Sequence, residues 1–439
     1  MRKLRMKLRR LLGRMRGSEI ARGFSAFAAM DVMNLVVGIS TRFLLGGLLG
    51  ASALGAFSLI LAVAAVVQQF FDLRIGGFTT RYVTESLTKR DNATTGALIK
   101  LSYIIDLGIG AAAFVVITLG ASWILNTFYD QPQLVLSLRV YALAVLAATI
   151  QDTSAGVLRA TARYAWLSIS TISVRTFELI LIGLLAWATR DLMTIFVVLV
   201  VKETVASVVG LLLVRRAVRE HDVRVMRSDL SLLRPKRKEF VRFLFNTNLD
   251  TYAAVIASKL DVLVLGRYIS LAELGVYRLA VSAAAPVMLF VSPLRSTLLQ
   301  VFVRVRDAGK AATVRIVERT TMYAAIMTTI ASIAIVLLGD LILSWVLSEE
   351  IKVQGLLILL TGRYIIEAAV VWAVPLLVAL DQVRVVGRRA VLYIVLYPAL
   401  LVPSVRLWGT MGAAGALVVV TAAVHGYTGI TAARELRKL

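Results

Sequence analysis

Basic residues alternate between successive loops of this chain, and this alternation limits the possible folds more than any motif does. Twelve apolar segments are separated by eleven loops, and the alternate set that includes both termini holds 37 of the 49 Lys and Arg. The opposite set holds four: Arg190, Arg267, Lys352 and Arg406. Because cytoplasmic loops retain Lys and Arg during insertion, the pattern predicts an even number of transmembrane helices and two cytoplasmic termini.

The composition agrees with a membrane protein. The chain is 59% hydrophobic with a mean hydropathy of +0.82, which is more apolar than a water-soluble protein of 439 residues. Its net charge of +23 lies mainly on one predicted membrane face, where anionic membrane lipids attract it. No nucleic-acid motif accompanies the charge, so no nucleic-acid partner is expected. Without cysteine, the chain forms no disulfide.

Each apolar segment is long enough to cross the hydrocarbon as a helix of about 20 residues. The turns between some of them are short and contain glycine, at Gly47, Gly50, Gly409 and Gly412. We expect an all-α integral membrane protein with about twelve transmembrane helices, at residues 24–48, 53–73, 98–126, 134–157, 164–188, 192–214, 243–266, 272–298, 316–345, 353–379, 386–405 and 409–432.

The polar segments divide the chain into two halves of six helices each. Residues 1–22 carry nine cations and form either an amphipathic helix on the membrane or a solvated basic tail. The predicted organisation is a basic cytoplasmic N-terminal segment (1–22), an N-terminal six-helix lobe (23–214), a basic cytoplasmic linker (215–242) and a C-terminal six-helix lobe (243–439).

The two halves also resemble each other in sequence. A shift of 220 residues aligns Leu54-Gly55 with Leu274-Gly275 and, just upstream, Leu45-Gly46 with Leu265-Gly266. Because each half has six helices, both halves begin on the same side of the membrane and the repeat is parallel. Such pairs form two lobes with a substrate path between them, and rocking of the lobes gives alternating access.

The stretch from Arg42 to Tyr82 carries a resemblance to a known family. The matching residues are the leucine-glycine pairs Leu45-Gly46 and Leu54-Gly55, followed by Phe57, Leu59, Gly76-Gly77 and Arg81-Tyr82. With these residues, the stretch resembles the first two helices of the polysaccharide transport family of oligosaccharide flippases. That family belongs to the multidrug/oligosaccharidyl-lipid/polysaccharide exporter superfamily. The tail from Leu407, LWGTMGAAGALVVV, is also similar to the last helix of many members. Leu73-Arg74 departs from the leucine-glycine pair that many relatives carry at this point.

The resemblance implies a flippase of the bacterial inner (plasma) membrane. Such a protein moves a polyprenyl-pyrophosphate-linked oligosaccharide from the inner to the outer leaflet for cell-surface polysaccharide synthesis. A polysaccharide polymerase and export machinery are its implied partners. The lipid tail can stay in the bilayer, whereas the anionic head group needs a polar, cationic passage.

Eight basic residues lie inside the predicted helices, where each costs on the order of 3 kcal/mol to insert. Four of them have no carboxylate three or four residues away on their own helix, and are expected either to face a substrate cavity or to form salt bridges between helices: Arg42, Lys202, Lys259 and Arg278. Lys202 and Glu203 are adjacent and are not expected to share a face.

The other four have a structural alternative. Arg175 lies three residues from Glu178, and Arg363 lies four residues from Glu367, so each either binds substrate or forms a local packing pair. Arg139 and Arg295 lie near helix ends, from which their side chains can reach the membrane interface.

Acidic residues suggest coupling to an ion gradient, and no other cofactor is expected. Asp31 and Asn34 lie one turn apart on the first helix. In some relatives of the superfamily a first-helix aspartate binds sodium or a proton, and the position of Asp31 transfers that role here as a hypothesis. Asp250, Asp261 and Glu367 are alternative sites, or neutralise the cations.

Two other function classes compete with the flippase. A cation-coupled multidrug or metabolite antiporter of the same superfamily would favour an acidic and aromatic cavity, against which the paired cations count. A membrane glycosyltransferase, polymerase or ligase would need a larger extracytoplasmic loop than any predicted here. No ATPase motif, phosphate-binding glycine loop or nucleophile motif occurs, so we expect no enzymatic activity.

Overall fold

A computed structural model describes residues 19–246, 249–305, 310–347 and 352–438, and this part of the chain is helical without a β-strand. Short 3₁₀ or π turns extend several helices at Ile124–Phe128, Pro132–Leu134, Leu230–Lys236 and Ala285–Val287. The α-helices are α1 (Glu19–Phe71), α2 (Ile75–Thr88), α3 (Asn92–Trp123), α4 (Val135–Ala148), α5 (Ile150–Ala160), α6 (Tyr164–Thr189), α7 (Leu192–Arg219), α8 (Arg237–Asn246), α9 (Leu249–Tyr268), α10 (Leu271–Ala284), α11 (Met288–Val305), α12 (Lys310–Leu347), α13 (Gln354–Ala369), α14 (Ala373–Ala379) and α15 (Val383–Lys438).

The helices account for the twelve predicted spans. Within the described residues, eight helical stretches are long and apolar enough to cross a membrane. Two of these, Ala29–Phe71 and Arg384–Lys438, are each divided by a glycine with positive φ, at Gly50 (φ 86°) and Gly409 (φ 54°). Helix α9 and the α10–α11 pair supply the remaining two. The chain is thus an all-α membrane protein with two six-helix lobes in parallel repeat, as predicted.

By packing, the described chain divides into two compact units that are discontinuous in sequence. The first unit contains the described residues up to Thr41 and Ala64–Tyr252, and the second contains Arg42–Val63 and Ala253–Leu439. The kinked end of the first span and the start of the next therefore pack within the second unit. The lobe limits at 23–214 and 243–439 stay a prediction about the sequence repeat.

The predicted linker is an ordered part of the first unit. Phe240 of α8 packs against Phe78 and Tyr82 of α2, with ring centroids 5.1 and 4.8 Å away. The hydroxyl of Tyr82 donates to Oε1 of Glu239 at 2.9 Å, and burial together with this carboxylate raises the pKa of Tyr82. Two aromatic side chains four residues apart on α2 pack with apolar side chains of the linker to form this core. The many basic residues of the linker make these apolar positions hard to recognise in the sequence.

In the second unit, the repeated glycines meet at a helix crossing. A Cβ added at Gly55 would lie 1.8 Å from the carbonyl oxygen of Leu271, and one added at Gly275 would lie 1.9 Å from that of Ala51. Each contact is the other shifted by 220 residues, so the crossing has local two-fold symmetry in the predicted register. The backbones approach this closely because glycine has no Cβ.

Candidate functional site

The eight intramembrane basic residues fall unevenly between the two units. Three of them lie in the first unit: Arg139, Arg175 and Lys202. Five lie in the second: Arg42, Lys259, Arg278, Arg295 and Arg363. The sequence halves contain four each, but Arg42 packs within the second unit because the segment Arg42–Val63 does so.

A cluster of like charge in the second unit consists of Arg42, Lys259 and Arg278, which we call the cationic cluster. Lys259 interacts electrostatically with both arginines and with Asp261, and Arg42 also interacts with Arg278. Nη1 of Arg42 lies 3.5 Å from Oγ of Ser282, which itself donates to the carbonyl of Arg278 at 2.7 Å. Among the described side chains, none of the three forms an ion pair within 4 Å. Half-buried cations without a paired carboxylate favour an anionic ligand.

A cavity of about 270 Å³ adjoins this cluster and shares Arg278 with it. Arg278 and Arg363 both line the cavity, and in the described structure Nε of each is buried without a hydrogen-bond partner. Nη2 of Arg363 donates to the hydroxyl of Tyr364 at 2.8 Å. Since a buried unsatisfied donor is costly, these two nitrogens are suited to an acceptor supplied by a ligand.

Four tyrosines form much of the wall of this cavity, and the sequence analysis did not single them out. They are Tyr277, Tyr364, Tyr393 and Tyr397. The hydroxyl of Tyr277 donates to Oδ2 of Asp261 at 3.0 Å, while the backbone N–H of Val262 donates to Oδ1 at 2.8 Å. Asp261 is thereby held by hydrogen bonds inside the second unit. The four-residue spacing of the last two tyrosines was the available signal, but it did not tell which helix they face.

In the first unit, Arg175 and Lys202 belong to a network in which the charges balance. Arg175 donates to Glu178 at 2.7 Å, so the local pair, one of the two alternatives for this residue, is present, and its role in substrate binding stays a prediction. Nζ of Lys202 lies 2.5 Å from Oε1 of Glu203 and 3.9 Å from Oε2 of Glu178. Lys202 and Glu178 are each only 6% exposed. Two cations and two carboxylates give this network no net charge, in contrast to the cationic cluster.

The prediction that Lys202 and Glu203 would not meet is wrong. Neighbouring side chains leave a helix in different directions, but the long stems of Lys and Glu let the charged ends converge. Burial supplies the reason, because an unpaired ammonium at this site would be strongly unfavourable. The interhelical salt bridge that the sequence left open for Lys202 is also present, to Glu178 on α6.

Arg363 interacts with Tyr364 more closely than with the carboxylate predicted beside it. The guanidinium carbon lies 4.4 Å from the centre of the Tyr364 ring. Glu367 interacts electrostatically with Arg363, but its ion pair is with Nη2 of Arg295, at 3.8 Å. Glu367 therefore interacts with two cations, Arg363 on its own helix and Arg295 on α11.

The candidate coupling residues lie in the first unit. Asp31 and Asn34 are both exposed, and Oδ1 of Asn34 accepts a hydrogen bond from Nε of Arg175 at 2.9 Å. Within the described chain, no group of three or more Asp, Glu or His side chains is arranged to hold a metal ion. A role for Asp31 and Asn34 in ion coupling stays a prediction.

Comparison with known proteins identifies the family and the fold. Residues 20–305 match the family described as "Polysaccharide biosynthesis protein". None of the curated protein sequences matches the chain. Among solved structures, the lipid II flippase MurJ in an inward closed conformation is similar with a TM-score of 0.72 at 12% identity, over 92% of this chain and 87% of that one.

Two MATE transporters share the same fold. An inward-facing multidrug resistance MATE family transporter of the MOP superfamily gives a TM-score of 0.68 at 12% identity, over 95% of this chain and 98% of that one. A variant of the Vibrio cholerae MATE transporter VcmN gives 0.60 at 14% identity, over 97% and 98%. The predicted resemblance is confirmed at the level of the family, and the solved structures show that the chain shares their fold.

Proposed function

The chain belongs to the family of polysaccharide biosynthesis proteins, and from this premise we propose that it is a flippase for a polyprenyl-pyrophosphate-linked oligosaccharide. The lipid-linked unit would move from the cytoplasmic to the outer leaflet by alternating access, for cell-surface polysaccharide synthesis. The similarity in fold to a lipid II flippase supports a lipid-linked substrate. A flippase of this kind transports its substrate without chemical change.

The observation that carries the proposal is the excess of positive charge in the second unit. Arg42, Lys259 and Arg278 gather without an ion pair among the described side chains, and the adjoining cavity is lined by two arginines whose buried Nε atoms have no hydrogen-bond partner in the described structure. A pyrophosphate provides several anionic oxygens for such donors, and arginine binds phosphate oxygens with paired N–H groups. The tyrosine rings beside them offer apolar faces and hydroxyl groups to a sugar.

The distribution of basic loops supports an orientation with both termini in the cytoplasm of a bacterial-type inner membrane. In this orientation the lipid-linked unit would arrive from cytoplasmic glycosyltransferases. A polymerase and export machinery would take up the product on the other side, and anionic lipids would surround the basic loops.

The proposal is tested with purified protein in liposomes that contain a fluorescent polyprenyl-pyrophosphate oligosaccharide. Flipping is followed as the fraction of label exposed to a membrane-impermeant quencher. Replacing Arg42, Lys259 or Arg278 singly with Ala should slow flipping by about tenfold or more, because each loses a charged hydrogen bond of roughly 1.5–3 kcal/mol.

The matched control is Arg190→Ala, which removes one cation from the loop between α6 and α7 and should keep the wild-type rate. Normal flipping by all three cluster variants would remove these residues from the site. Failure of the wild type to move the lipid, together with efflux of an organic cation, would overturn the proposal.

A second candidate is a cation-coupled multidrug or metabolite antiporter, which the similarity to MATE transporters equally allows. The observation in its favour is the wall of four tyrosines with Asp261, since an organic cation binds well to aromatic rings and a carboxylate. The arginines of the same cavity oppose it. Coupling through Asp31 and Asn34 belongs to either candidate, and an imposed sodium or proton gradient that leaves the wild-type rate unchanged would exclude it.

A further inference from the structure

An apolar groove of about 510 Å³ runs between α6 and α7 in the first unit. Its residues on α6 recur every three or four positions, which places them on one face of that helix. Ile169 is 65% exposed and Phe177 is 37% exposed. The walls include Trp166, Ile169, Ser173 and Phe177 of α6 with Val205 and Leu213 of α7.

One end of the groove is basic. The guanidinium carbons of Arg163 and Arg216 lie 4.8 and 4.9 Å from the centre of the Trp166 ring. Arg163 forms an ion pair with Glu220, and Nε of Arg216 lies 3.8 Å from the same carboxylate. Within the described residues, Nε of Arg163 is buried and has no hydrogen-bond partner. Two cations with one carboxylate leave this end positively charged.

The length of the groove corresponds to one leaflet of a bilayer. From Trp166 to Phe177 the helix advances eleven residues, or about 16 Å at 1.5 Å per residue. The hydrocarbon core of a bilayer is about 30 Å thick, so a chain lying in the groove would extend from the basic end to about the midplane.

The groove shares a wall with a polar cavity of about 160 Å³. The shared residues are Ser170, Val174 and Val209. The polar cavity is lined on its other sides by residues that include Arg175 and Lys202. The first unit thus contains an apolar groove with a basic end, next to a polar cavity.

We propose that the α6–α7 groove binds the isoprenoid chain of a polyprenyl phosphate lipid, with the phosphate at Arg163 and Arg216. This inference rests on the proposed function, because it assigns a first binding step of the same lipid, before its anionic head group reaches the cationic cluster. A single groove between two adjacent helices fits one branched chain better than the paired chains of a phospholipid, and Ser170 and Ser173 leave room for its methyl groups. The basic end disfavours the N-terminal segment as occupant, because residues 1–22 carry nine cations.

The test uses the full-length protein in phospholipid nanodiscs with a photoactivatable polyprenyl phosphate. Val205→Phe fills the groove, and the matched control Val208→Phe places the same side chain one turn away, at a position that is 50% exposed and does not line the groove. We expect wild-type crosslinks on α6 and α7, reduced by about fivefold or more in Val205→Phe through steric exclusion, and unchanged in Val208→Phe.

A second variant, which changes a charge and does not fill the groove, tests the proposal even if Val205→Phe misfolds. Arg216 is 72% exposed, so Arg216→Glu should leave the fold intact. It should weaken crosslinking by the phosphate probe by about threefold, the range of an exposed ion pair, and leave crosslinking by the uncharged polyprenol unchanged. Equal loss with both probes, or with neither, would contradict the proposed head-group position.

Competition separates this site from ordinary lipid contact. Unlabelled polyprenyl phosphate should displace the probe, whereas phosphatidylglycerol should not; equal displacement by both would mean general lipid contact only and would overturn the inference. The same variants are assayed for flipping. If the wild type flips the lipid-linked oligosaccharide and Val205→Phe flips it equally well, the groove assignment fails. If the wild type crosslinks selectively but does not flip, the proposed function fails and the groove remains.

Discussion

Lys202 and Arg278 are both intramembrane cations, but their surroundings assign them opposite roles. Lys202 is buried and contacts two carboxylates, so it is part of a neutral network. Arg278 belongs to the cationic cluster, and its Nε is unpartnered in the described structure. Removal of a paired buried charge destabilises a protein, whereas removal of one of several like charges relieves repulsion. We therefore expect the first kind of residue to stabilise the fold and the second to be available to a ligand.

Lys202→Ala should therefore lower the stability of the protein. The substitution leaves the buried carboxylate of Glu178 with Arg175 as its remaining partner and removes the ion pair of half-buried Glu203, and loss of a partner in a buried pair costs about 3–5 kcal/mol. The thermal unfolding midpoint in detergent measures the effect.

The double variant Lys202→Met with Glu203→Gln is the control for this prediction. It removes one charge of each sign and keeps the Arg175–Glu178 pair, so most of the lost stability should return. Arg278→Ala should keep the wild-type midpoint. An unchanged midpoint in Lys202→Ala would mean that the network does not stabilise the first unit.

At the scale of elements, the close helix crossing at Gly55 and Gly275 predicts that neither glycine can be replaced without loss of stability. Gly55→Ala or Gly275→Ala would drive a Cβ into a backbone carbonyl, and backbone cannot rotate away as a side chain can. Each substitution should cost about 1–3 kcal/mol through overpacking. Gly108→Ala is the control, because a Cβ there meets nothing within 4 Å. We expect a lower unfolding midpoint for Gly55→Ala and Gly275→Ala and an unchanged midpoint for Gly108→Ala. If all three variants unfolded at the wild-type midpoint, the two helices would separate without cost.

Several elements could be predicted from the sequence because their signals are local. The glycine turns at Gly50 and Gly409 and the 220-residue register were visible as spacing and hydrophobicity. The tyrosine wall and the α6–α7 groove were not, because helical periodicity shows which residues share a face but not which helix that face meets. The packing of the linker against α2 was not predicted, because the many basic residues of the linker draw attention away from its apolar side chains.

At the scale of the whole molecule, the distribution of charge could not be obtained by counting along the chain. Four intramembrane cations fall in each sequence half, yet five lie in the second unit because Arg42–Val63 packs there. The three in the first unit include Arg175 and Lys202, which are neutralised by carboxylates. Related halves have thus acquired different electrostatics. The second unit contains the cationic cluster, and the first contains a polar cavity beside an apolar groove.

The orientation of the molecule decides which leaflet the basic end of that groove serves, and the absence of cysteine makes the orientation directly measurable. Met226, which is 84% exposed in the predicted cytoplasmic linker, and Gln133, exposed in a predicted external loop, are suitable positions for single cysteines. In intact cells a membrane-impermeant maleimide should label Gln133→Cys but not Met226→Cys, since basic loops remain in the cytoplasm.

Permeabilised cells provide the control, because both variants should then react. Arg163 and Arg216 lie on the same predicted membrane face as Met226, so this labelling pattern would place the basic end of the groove at the cytoplasmic leaflet, from which the proposed substrate would be taken up. Labelling of Met226→Cys alone in intact cells would place that end at the outer leaflet instead. The groove would then bind the lipid after translocation rather than before it.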